Sequence, residues 1–354
     1  MANVGYCGFE AKKESTMSYD ESKILITGGL GFIGSNLARR LVGEGAKVTI
    51  VDNIDECHGG NYFNIRDIDP VVSVHIADIR DANIMADLIK NNDYLFNLAG
   101  QTSHLGSMEN PSKDLEINVS AQLSILELCR QYNRDIKIVF TSTRQIYGKP
   151  NYLPVDEAHP INPTDINSVH KAASECYHIL YNNNYGIRAT VLRLTNTYGQ
   201  GMRIQDDRQC FIGMWVRLLM EGRALQIYDD GTQLRDFNFV DDCVDALYLA
   251  GANDDANGKI YNLGSHEKIS IKDLADMMIK INGRGACEWV SYPEKRKKID
   301  IGDYYGNISL IMNDLNWFPK VGLQEGLTQT LDYYCKYYMN YLASSDDPKS
   351  FQWK

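Results

Sequence analysis

Long apolar segments and paired cysteines are what this 354-residue chain lacks. No apolar run reaches the length needed to cross a membrane, and the N-terminus has no apolar core of the kind found in secretory signals. The eight cysteines are scattered with no C-x-x-C pair, which argues against a disulfide framework and against a zinc site. We therefore expect a cytoplasmic protein with reduced thiols, no metal and no membrane partner.

An excess of basic residues is also absent, because the formal net charge is −10. Without a basic stripe a nucleic-acid partner is not expected, and anionic ligands must be met by a few well-placed cations. Residues 1–20 are polar and aperiodic, which predicts a flexible extension with Met17 as an alternative start. The remainder is rich enough in apolar residues, at 44% of the chain, to form a full core.

The most informative segment is Ile24–Leu37, where a short apolar strand runs into three glycines and then into an amphipathic helix. Gly28 permits a tight turn, Gly31 leaves room for a pyrophosphate to approach the backbone, and Gly34 allows close packing of the helix. The next strand ends in Asp52, whose carboxylate suits the two adenosine ribose hydroxyls and would repel a 2′-phosphate. These features predict a dinucleotide site that takes NAD in preference to NADP.

Strands and helices alternate from residue 23 to about 195, which predicts an α/β fold, a Rossmann doubly wound parallel sheet with a smaller C-terminal substrate-binding lobe. The later strands are predicted at Val72–Ile76, Tyr94–Leu98, Ile136–Thr141 and Thr190–Leu194, and the helices near 31–43, 81–91, 112–132 and 165–184. We assign residues 21–195 and 236–263 to the NAD-binding domain. Residues 196–235 and 264–345 are assigned to the smaller lobe.

Eight ordered motifs are similar to those of the extended short-chain dehydrogenase/reductase family, which contains NAD-dependent nucleotide-sugar epimerases and dehydratases. They are TGGLGFIG at 27–34, VDN at 51–53, ADIRD at 77–81, NLAG at 97–100, INV at 117–119, TSTRQIYG at 141–148, RLTNTYG at 193–199 and RDFNFVDD at 235–242. The resemblance covers about residues 23–340. Within the family, NLAGQTSH, STRQIYG and the region around Arg208 look most like the CDP-tyvelose 2-epimerase branch.

The resemblance implies where the cofactor is held. Asp78 and Ile79 would contact the adenine, Ala99 and Gly100 would line the cofactor through their backbone, and Asn118 would support the active site from its helix. Lys171 would bind the nicotinamide ribose and lower the pKa of the catalytic base. The full set of cofactor positions implied by the motifs is Gly28, Gly31, Phe32, Ile33, Gly34, Asp52, Asn53, Asp78, Ile79, Leu98, Ala99, Gly100, Asn118 and Lys171.

The resemblance also implies a nucleotide-diphosphate-sugar substrate. Thr143 matches the residue that hydrogen-bonds the reacting sugar hydroxyl, and Asn196 and Arg235 match positions that grip the diphosphate. Arginine suits this role because it forms bidentate, charge-assisted bonds to phosphate. Lys297 falls where the family often has a second phosphate-binding arginine. The nucleotide base is expected to be recognised from the 203–228 region, where the candidates are Arg203, Arg208 and Trp215.

One departure from the family is serious, because the catalytic Tyr-x-x-x-Lys signature reads Asn167-Ser168-Val169-His170-Lys171 here. Oxidation of an alcohol needs a base to take the hydroxyl proton, and an amide cannot accept it. His170 lies one helical turn from Asn167, and His104 lies in the loop that contacts the sugar in the family; either has a suitable ordinary pKa. Tyr147 is more often structural, and Thr143 alone can only relay a proton.

A second departure concerns the two residues after Thr143, which in the 4,6-dehydratases of the family are an Asp-Glu pair that eliminates water across C5 and C6. Here they are Arg144 and Gln145, neither of which is a general acid or base at neutral pH. Elimination by that route is therefore disfavoured. Arg144 instead suggests recognition of an anionic or hydroxyl-rich sugar, such as a uronate.

The sequence is compatible with three functions. The first is epimerisation through a transient keto-sugar, in which the cofactor accepts a hydride and returns it to the opposite face. The second is dehydratase or dehydrogenase chemistry with an unusual base. The third is a sugar-nucleotide-binding protein that has lost catalysis, which Asn167 favours and the retained Thr143 and Lys171 oppose.

A homodimer is expected from the resemblance, because the helices near 112–132 and 165–184 form a two-fold four-helix bundle in this family. Both helices are rich in apolar residues, some of which must be core: Leu123, Ile125, Leu126, Leu128, Ile179, Leu180 and Tyr181.

Overall fold

The computed structural model describes residues 19–55 and 58–342. The predicted flexible extension and Met17 lie outside these residues, apart from Tyr19 and Asp20. Tyr19 belongs to the core: its side chain is 1% exposed, its ring centroid is 4.8 Å from that of Tyr94, and its hydroxyl donates to the backbone oxygen of Tyr248 at 3.0 Å. The predicted flexible extension is therefore wrong at Tyr19, because this aromatic ring fills core space.

Strands and helices alternate through the first half of the chain. The strands are β1 (Lys23–Thr27), β2 (Lys47–Asp52), β3 (Ser73–Ile76), β4 (Tyr94–Asn97), β5 (Lys137–Thr143), β6 (Ala189–Leu194), β7 (Asn196–Tyr198), β8 (Leu225–Tyr228), β9 (Leu234–Phe239), β10 (Ile260–Leu263), β11 (Lys268–Ser270) and β12 (Cys287–Val290). The helices are α1 (Phe32–Gly43), α2 (Ala82–Lys90), α3 (His104–Glu109), α4 (Pro111–Leu115), α5 (Ala121–Tyr132), α6 (Ile166–Tyr185), α7 (Phe211–Met220), α8 (Val240–Ala252), α9 (Ile271–Asn282), α10 (Glu294–Lys297), α11 (Ser309–Leu315) and α12 (Leu323–Tyr337).

Within the described residues, seven strands form one parallel sheet in the order β10-β6-β5-β4-β1-β2-β3. This is the doubly wound arrangement predicted from the sequence. The order reverses between β1 and β4, so the loops after these two strands separate and leave a crevice at their carboxyl ends. That crevice is where a ligand of such a sheet binds.

Both faces of the sheet are covered, because alternate residues of each strand enter different cores. Ile24 and Ile26 of β1 pack in the larger cluster with the α1 and α8 side chains, whereas Leu25 packs on the other face with residues of α2 and α5. This explains the nearly continuous apolar strands in the sequence, since a parallel sheet between two helical layers is buried on both sides.

The smaller sheets involve segments after β6. The strand β9 lies between β7 and β11 in a three-stranded sheet, and β8 pairs with β12. Residues 236–239, assigned above to the NAD-binding domain, therefore pair outside the seven-stranded sheet, while β10 joins it through β6. The division into an NAD-binding domain and a smaller lobe otherwise stays a prediction.

The helix predicted over 112–132 is not uniform. The segment Glu116–Ser120 between α4 and α5 forms a π-helical turn, which contains the buried Asn118. Such wide turns are rare and are frequently found at functional sites. Sequence periodicity could not reveal this turn, because it spans only five residues.

Candidate active site

The crevice between β1 and β4 opens into what we call the inner cavity, with a volume of about 280 Å³. Its wall collects the predicted cofactor residues from the ends of several strands, with Asn118 placed just behind it. The lining residues among them are Gly28, Gly31, Phe32, Ile33, Gly34, Asp52, Asn53, Asp78, Ile79, Leu98, Ala99, Gly100 and Lys171.

The glycine loop before α1 fits a dinucleotide phosphate. Gly31 precedes the helix without any side-chain cap, and the first turn carries no acidic residue, so the helix N-terminus is free to meet an anion. A Cβ on Gly34 would lie 2.3 Å from the backbone oxygen of Gly28, so the loop and helix are too close for a side chain there. Gly28 itself has a φ of +70°, in the region that favours glycine.

Asp52 closes the adenosine end of this loop. Its two carboxylate oxygens accept backbone N–H groups of Leu30 at 3.0 Å and Ile54 at 2.8 Å, which fixes the carboxylate at the cavity wall. Burial raises the pKa of Asp52, although these two N–H donors oppose the shift. Next to it, Asp78 receives a bidentate contact from Arg80, whose hydrogen bonds hold the pKa of Asp78 below its usual range. These residues fit the adenosine half of NAD.

The other end of the inner cavity holds Lys171. Its ammonium donates to the backbone oxygen of Thr141 at 3.2 Å and lies 4.9 Å from the centre of the Phe140 ring. Burial lowers the pKa of Lys171 to about 8, and the charge of Asp114 limits the shift. Among residues 19–55 and 58–342 no carboxylate lies at ion-pair distance from it. A buried cation with so few partners indicates a site that is completed by a ligand.

Gly100 and Asn118 shape the same end. A Cβ on Gly100 would lie 2.8 Å from the side-chain oxygen of Asn118 and 3.1 Å from the Lys171 nitrogen. The Asn118 amide donates to the backbone oxygen of Gln101 at 3.0 Å, and its buried oxygen has no protein partner. The π-helical turn thus directs an unsatisfied acceptor toward the inner cavity.

Asn167 occupies the position of the missing tyrosine and also lines the inner cavity. Its side-chain nitrogen donates to the backbone oxygen of Gln101 at 2.8 Å and to Asp114 at 3.1 Å. Because both amide hydrogens are used inside the protein, Asn167 can offer only its oxygen to a ligand. It can accept a hydrogen bond from a hydroxyl group, but it cannot take up the proton.

His170, one of the two candidate bases, does not reach the site. Its Nδ1 lies 2.6 Å from the buried carboxylate of Asp114, and its imidazole lines neither the inner cavity nor the larger one described below. The sequence placed it one turn from Asn167 correctly, but α4 brings Asp114 between them. His170, considered from the sequence as a replacement base, therefore does not line either cavity.

His104, the other candidate, lines both cavities. Its Nδ1 lies 3.1 Å from a carboxylate oxygen of Asp165, whose side chain is fully buried. Burial alone would raise the pKa of Asp165, but His104 and the Ser168 N–H together lower it. The same carboxylate caps α6 by accepting the backbone N–H of Ser168 at 2.8 Å.

Thr143 ends β5 at the inner cavity, where its hydroxyl accepts the backbone N–H of Gln145 at 3.2 Å. Tyr147, weighed above as a base, points into a buried network: its hydroxyl donates to Asn262 at 2.6 Å and accepts from Arg193 at 2.7 Å. Burial raises the pKa of Tyr147 to about 12, against the influence of Arg193. Tyr147 is therefore structural.

Beyond Thr143 the site widens into what we call the outer cavity, with a volume of about 890 Å³. Four arginines line it, together with aromatic side chains from several elements. They are Arg144, Arg208, Arg235 and Arg296, with Phe211, Trp215, Tyr228 and Tyr292. His104, Arg144 and Asn196 line both cavities, so the two form one continuous site.

Arg144 lies at the junction. One of its terminal nitrogens donates to the Asn196 side-chain oxygen at 3.1 Å, and the guanidinium lies 4.9 Å from the centre of the Tyr304 ring. Its other terminal nitrogen and the Asn196 amide nitrogen are buried without protein partners. Two unmet donors side by side favour an anionic or oxygen-rich ligand group.

Arg235 is almost fully buried near Arg144, and burial together with the Arg144 charge lowers the pKa of Arg235 to about 10. It donates to the backbone oxygens of Leu234 and Gly302 and lies 3.4 Å from Asp300. Two neighbouring guanidinium groups repel each other, and an anion bound between them would offset this repulsion.

Some of the remaining substrate candidates line the outer cavity and others do not. Lys297 is exposed and outside the cavity lining, so its expected role is corrected: the preceding Arg296 lines the outer cavity and pairs with Asp207. Successive helical residues point about 100° apart, so a shift of one position decides which side chain faces the ligand. Arg208 lines the cavity and lies 3.4 Å from Asp206, to which Arg203 also binds, and Trp215 is buried in the wall.

Sequence reasoning missed Asp114, Asp165 and Arg296. Asp165 carried a signal, because an acid three residues before Ser168 at the start of a helical pattern is a typical N-cap. Asp114 and Arg296 carried none, since their importance depends on tertiary contacts with His170, Asn167 and Asp207.

Among residues 19–55 and 58–342, no group of three or more His, Cys, Asp and Glu side chains is arranged to hold a metal ion. None of the helices in this part of the chain combines the length and the apolar character needed to cross a membrane.

Comparisons with known proteins agree with this geometry. The family model described as "NAD dependent epimerase/dehydratase family" matches residues 24–264. A protein of Methanocaldococcus jannaschii named "Putative UDP-glucose 4-epimerase" is 34% identical over 88% of this chain and 97% of its own length. UDP-glucuronic acid decarboxylase 1 of Xenopus tropicalis is 29% identical over 90% of this chain and 73% of its own length.

Among solved structures, the UDP-glucose 4-epimerase of Thermotoga maritima with UDP-glucose has a TM-score of 0.81 and 27% identity, covering 89% of this chain and 99% of that one. The narrower resemblance to CDP-tyvelose 2-epimerases stays a prediction. The glycine loop, Asp52 and Lys171 fit NAD, and the family model covers all of them. The chain belongs to the NAD-dependent epimerase/dehydratase family of nucleotide-sugar enzymes, and its cofactor is NAD.

Proposed function

We propose that the protein epimerises a nucleotide-diphosphate sugar through a transient keto-sugar. The observation that carries this proposal is the junction of the two cavities, where Thr143 and Lys171 lie beside Arg144 and Gln145. The first two residues suit oxidation and reduction of a sugar hydroxyl. The second two cannot act as the acid and base of an elimination at neutral pH.

The residues of the site have separate roles in the proposed reaction. NAD, when bound, accepts a hydride from the sugar carbon and later returns it. Lys171 supplies a buried positive charge at the nicotinamide end, which favours loss of a proton from a nearby hydroxyl group. Thr143 and the Asn167 oxygen orient that hydroxyl by hydrogen bonds. Asn196, Arg235 and Arg296 hold the diphosphate and leave the sugar room to turn.

The proposal is tested by mass spectrometry of products formed from UDP-, dTDP-, CDP- and GDP-sugars with NAD in deuterated water. A new isomer of equal mass without deuterium supports epimerisation. Loss of water with uptake of deuterium indicates dehydration, and accumulation of NADH with an oxidised sugar indicates a net dehydrogenase. Tight binding of a sugar without turnover would instead support a binding protein.

A second candidate is oxidation of a nucleotide uronate followed by loss of carbon dioxide. It is favoured by the unpaired, buried nitrogen of Arg144 at the junction, since a guanidinium edge of this kind matches a carboxylate. The similarity to a UDP-glucuronic acid decarboxylase also supports it. Carbon dioxide released from UDP-glucuronate in the same panel distinguishes this reaction from epimerisation.

The Arg144→Met variant is expected to weaken binding of UDP-glucuronate at least 30-fold, or about 2 kcal/mol, the range of a charge-assisted hydrogen bond. Binding of UDP-glucose should change less than about threefold, because that sugar lacks the carboxylate. Isothermal titration of the NAD-loaded protein measures both constants. The Arg144→Lys variant keeps the charge and should lose less than Arg144→Met; equal losses for both sugars would contradict carboxylate recognition.

We also propose that the protein is a homodimer in which α6 packs on its symmetry mate. Ile125, Leu126 and Tyr181 lie in the chain's own core, but Leu180 remains 44% exposed. An apolar stripe runs along α6 at spacings of four, three and four residues. It consists of Val169, which is 46% exposed, Ala173, Cys176 and Leu180. This spacing is that of a helix-packing seam.

The Leu180→Glu variant is expected to convert the dimer to a monomer, because each subunit would place a charge in the seam. Light scattering after size-exclusion chromatography measures the mass. The matched control is Ile84→Glu on α2, where an isoleucine is 36% exposed outside the stripe and the dimer should persist. A monomeric wild type, or a dimeric Leu180→Glu variant, would refute this interface.

A further inference from the structure

The residues around Asn167 leave the site without its usual proton acceptor. Asn167 has both amide hydrogens tied to Gln101 and Asp114, and Tyr147 is held in a buried network. His170 lies behind Asp114 and outside both cavities. Any base for the proposed oxidation must therefore come from another element.

Histidine is the side chain that accepts a proton most readily near neutral pH, and two histidines line both cavities. His58 follows β2, and its Nδ1 lies 2.9 Å from Asp55, a carboxylate that Lys113 also approaches at 3.7 Å. His104 follows β4, next to the Lys171 end. Both are paired with a carboxylate, so their position in the site must decide between them.

Several contacts place His104 beside the vacant tyrosine position. Ser107, one turn further along α3, donates its hydroxyl to the His104 backbone oxygen at 2.7 Å and accepts the Asn167 backbone N–H at 3.0 Å. Asp165, which contacts His104, lies two residues before Asn167 at the start of α6. His104 is thus fixed to the same helical turn as Asn167, whereas His58 belongs to the loop beside Asp52.

The His104 ring is also oriented for proton transfer. Its Nδ1 is buried and lies at ion-pair distance, 3.1 Å, from the Asp165 carboxylate without an aligned hydrogen bond, and 34% of the side chain is exposed. The exposed edge is therefore the one that carries Nε2. A carboxylate next to Nδ1 favours the tautomer with its proton on Nδ1, which leaves Nε2 as the acceptor facing the cavity.

We infer that the His104–Asp165 pair replaces the missing tyrosine as the base of the reaction. The inference rests on the proposed oxidation of a sugar hydroxyl. The O–H bond breaks and its proton moves to Nε2 of His104, while the carbon-bound hydrogen leaves with two electrons for NAD and the carbonyl forms. On the return the same proton goes back to the oxygen. Asp165 is a positioning residue that holds the ring and stabilises the imidazolium.

The first experiment compares His104→Asn, His58→Asn and His170→Asn on the nucleotide sugar that the wild type converts. His104→Asn is expected to lower kcat at least about 100-fold with KM changed only a few-fold, because proton transfer typically contributes 10²–10⁴-fold. The other two variants should lose clearly less. A larger loss in His58→Asn or His170→Asn, or a His104→Asn variant within tenfold of wild type, would overturn the assignment.

Asp165→Asn tests the positioning role without removing the helix cap, because asparagine is also a good N-cap. The acid limb of the kcat/KM profile should move to lower pH, since the imidazolium loses its counter-charge. A variant that loses activity equally at every pH would mean that Asp165 is only structural.

A second readout does not depend on turnover. Diethyl pyrocarbonate modifies accessible histidines, and peptide mass spectrometry measures the rate at each one. In the NAD-loaded protein, UDP-glucose should slow modification of His104 at least tenfold and leave His75, on the edge strand β3, unchanged. An unprotected His104 in a protein that converts a sugar would overturn the inference alone; protection of His104 without conversion of any sugar would overturn the proposed function and, with it, the role of His104 as a base.

Discussion

Lys171→Met is expected to abolish turnover and to raise the thermal stability of the cofactor-free protein. The ammonium is buried, donates to one backbone oxygen and has no carboxylate at ion-pair distance in the described part of the chain. Burial lowers the pKa of Lys171 to about 8, so it is mostly charged at pH 7. The shift from the ordinary value of 10.5 corresponds to a cost on the order of 3 kcal/mol. We expect kcat to fall at least about 1,000-fold and Tm to rise by a few degrees.

The effect of Lys171 on the stability of the fold depends on pH. A lysine whose pKa is lower in the folded than in the unfolded protein destabilises the fold. Below the folded pKa this cost is present in full. The cost is relieved as the pH rises from about 8 toward 10.5, where the unfolded chain binds more protons than the folded one. The stability gap between Lys171→Met and wild type should therefore narrow over this window. Differential scanning calorimetry at pH 7, 8.5 and 10 on protein freed of NAD measures it.

Lys137 provides the matched control. It is also a buried lysine, 1% exposed, but its ammonium donates to the Asn253 backbone oxygen and lies 3.4 Å from Asp254, away from both cavities. Burial lowers the pKa of Lys137 too, but the charge and hydrogen bond of Asp254 oppose this shift. Because Lys137→Met also leaves the Asn253 oxygen unsatisfied, we expect lower stability, with kcat within about twofold of wild type. If both variants lost stability alike, the charge on Lys171 would not be strained, and the interpretation of this residue would be wrong.

The fold could be predicted because its signals are local. Continuous apolar strands, helical periodicity and three spaced glycines each constrain a few neighbouring residues, and together they fix a parallel sheet with its crevice beside the glycine loop. The bounds of β3 to β6 differ from the predicted strands by one or two residues. The π-helical turn at Glu116–Ser120 could not be predicted, because a segment of five residues is too short to show a period of its own in the sequence.

The candidate site was predictable where the backbone itself sets the position. Gly31 and Asp52 follow directly from a helix start and a strand end, whereas Lys171 follows from the resemblance to the family motif. The choice between His104 and His170 as the base could not be predicted from the sequence. Both are histidines with suitable chemistry: His170 lies one helical turn from Asn167, and His104 lies in the loop that contacts the sugar in the family. The structure separates them through Asp114, which turns His170 away, and Asp165, which holds His104 at the cavity.

Gly31→Val is expected to weaken NAD binding at least 100-fold, or about 2.7 kcal/mol, while the protein remains folded. Gly31 has φ and ψ of −78° and −176°, an extended conformation that any residue adopts. A Cβ at this position would meet only the Gly28 backbone oxygen, at 3.2 Å, a tight contact that a shift of a few tenths of an ångström relieves, so the fold depends on glycine less here than at Gly34. The added side chain would instead fill the space above the helix N-terminus where the pyrophosphate must lie. Titration with NAD and the Tm of the cofactor-free protein measure both effects.

Gly34→Ala is the contrasting variant in the same loop. Its Cβ would lie 2.3 Å from the Gly28 oxygen and 2.8 Å from Gly29 Cα, both backbone atoms that cannot move aside without shifting the loop from α1. Overpacking of this kind typically costs 1–3 kcal/mol, so the cofactor-free Tm should fall even though only one carbon is added. The larger valine at Gly31 should thus be the milder change for the fold and the more harmful one for binding. If Gly31→Val instead lowered the cofactor-free Tm as much as Gly34→Ala, Gly31 would serve the packing of α1, and the space above it would not be reserved for a phosphate.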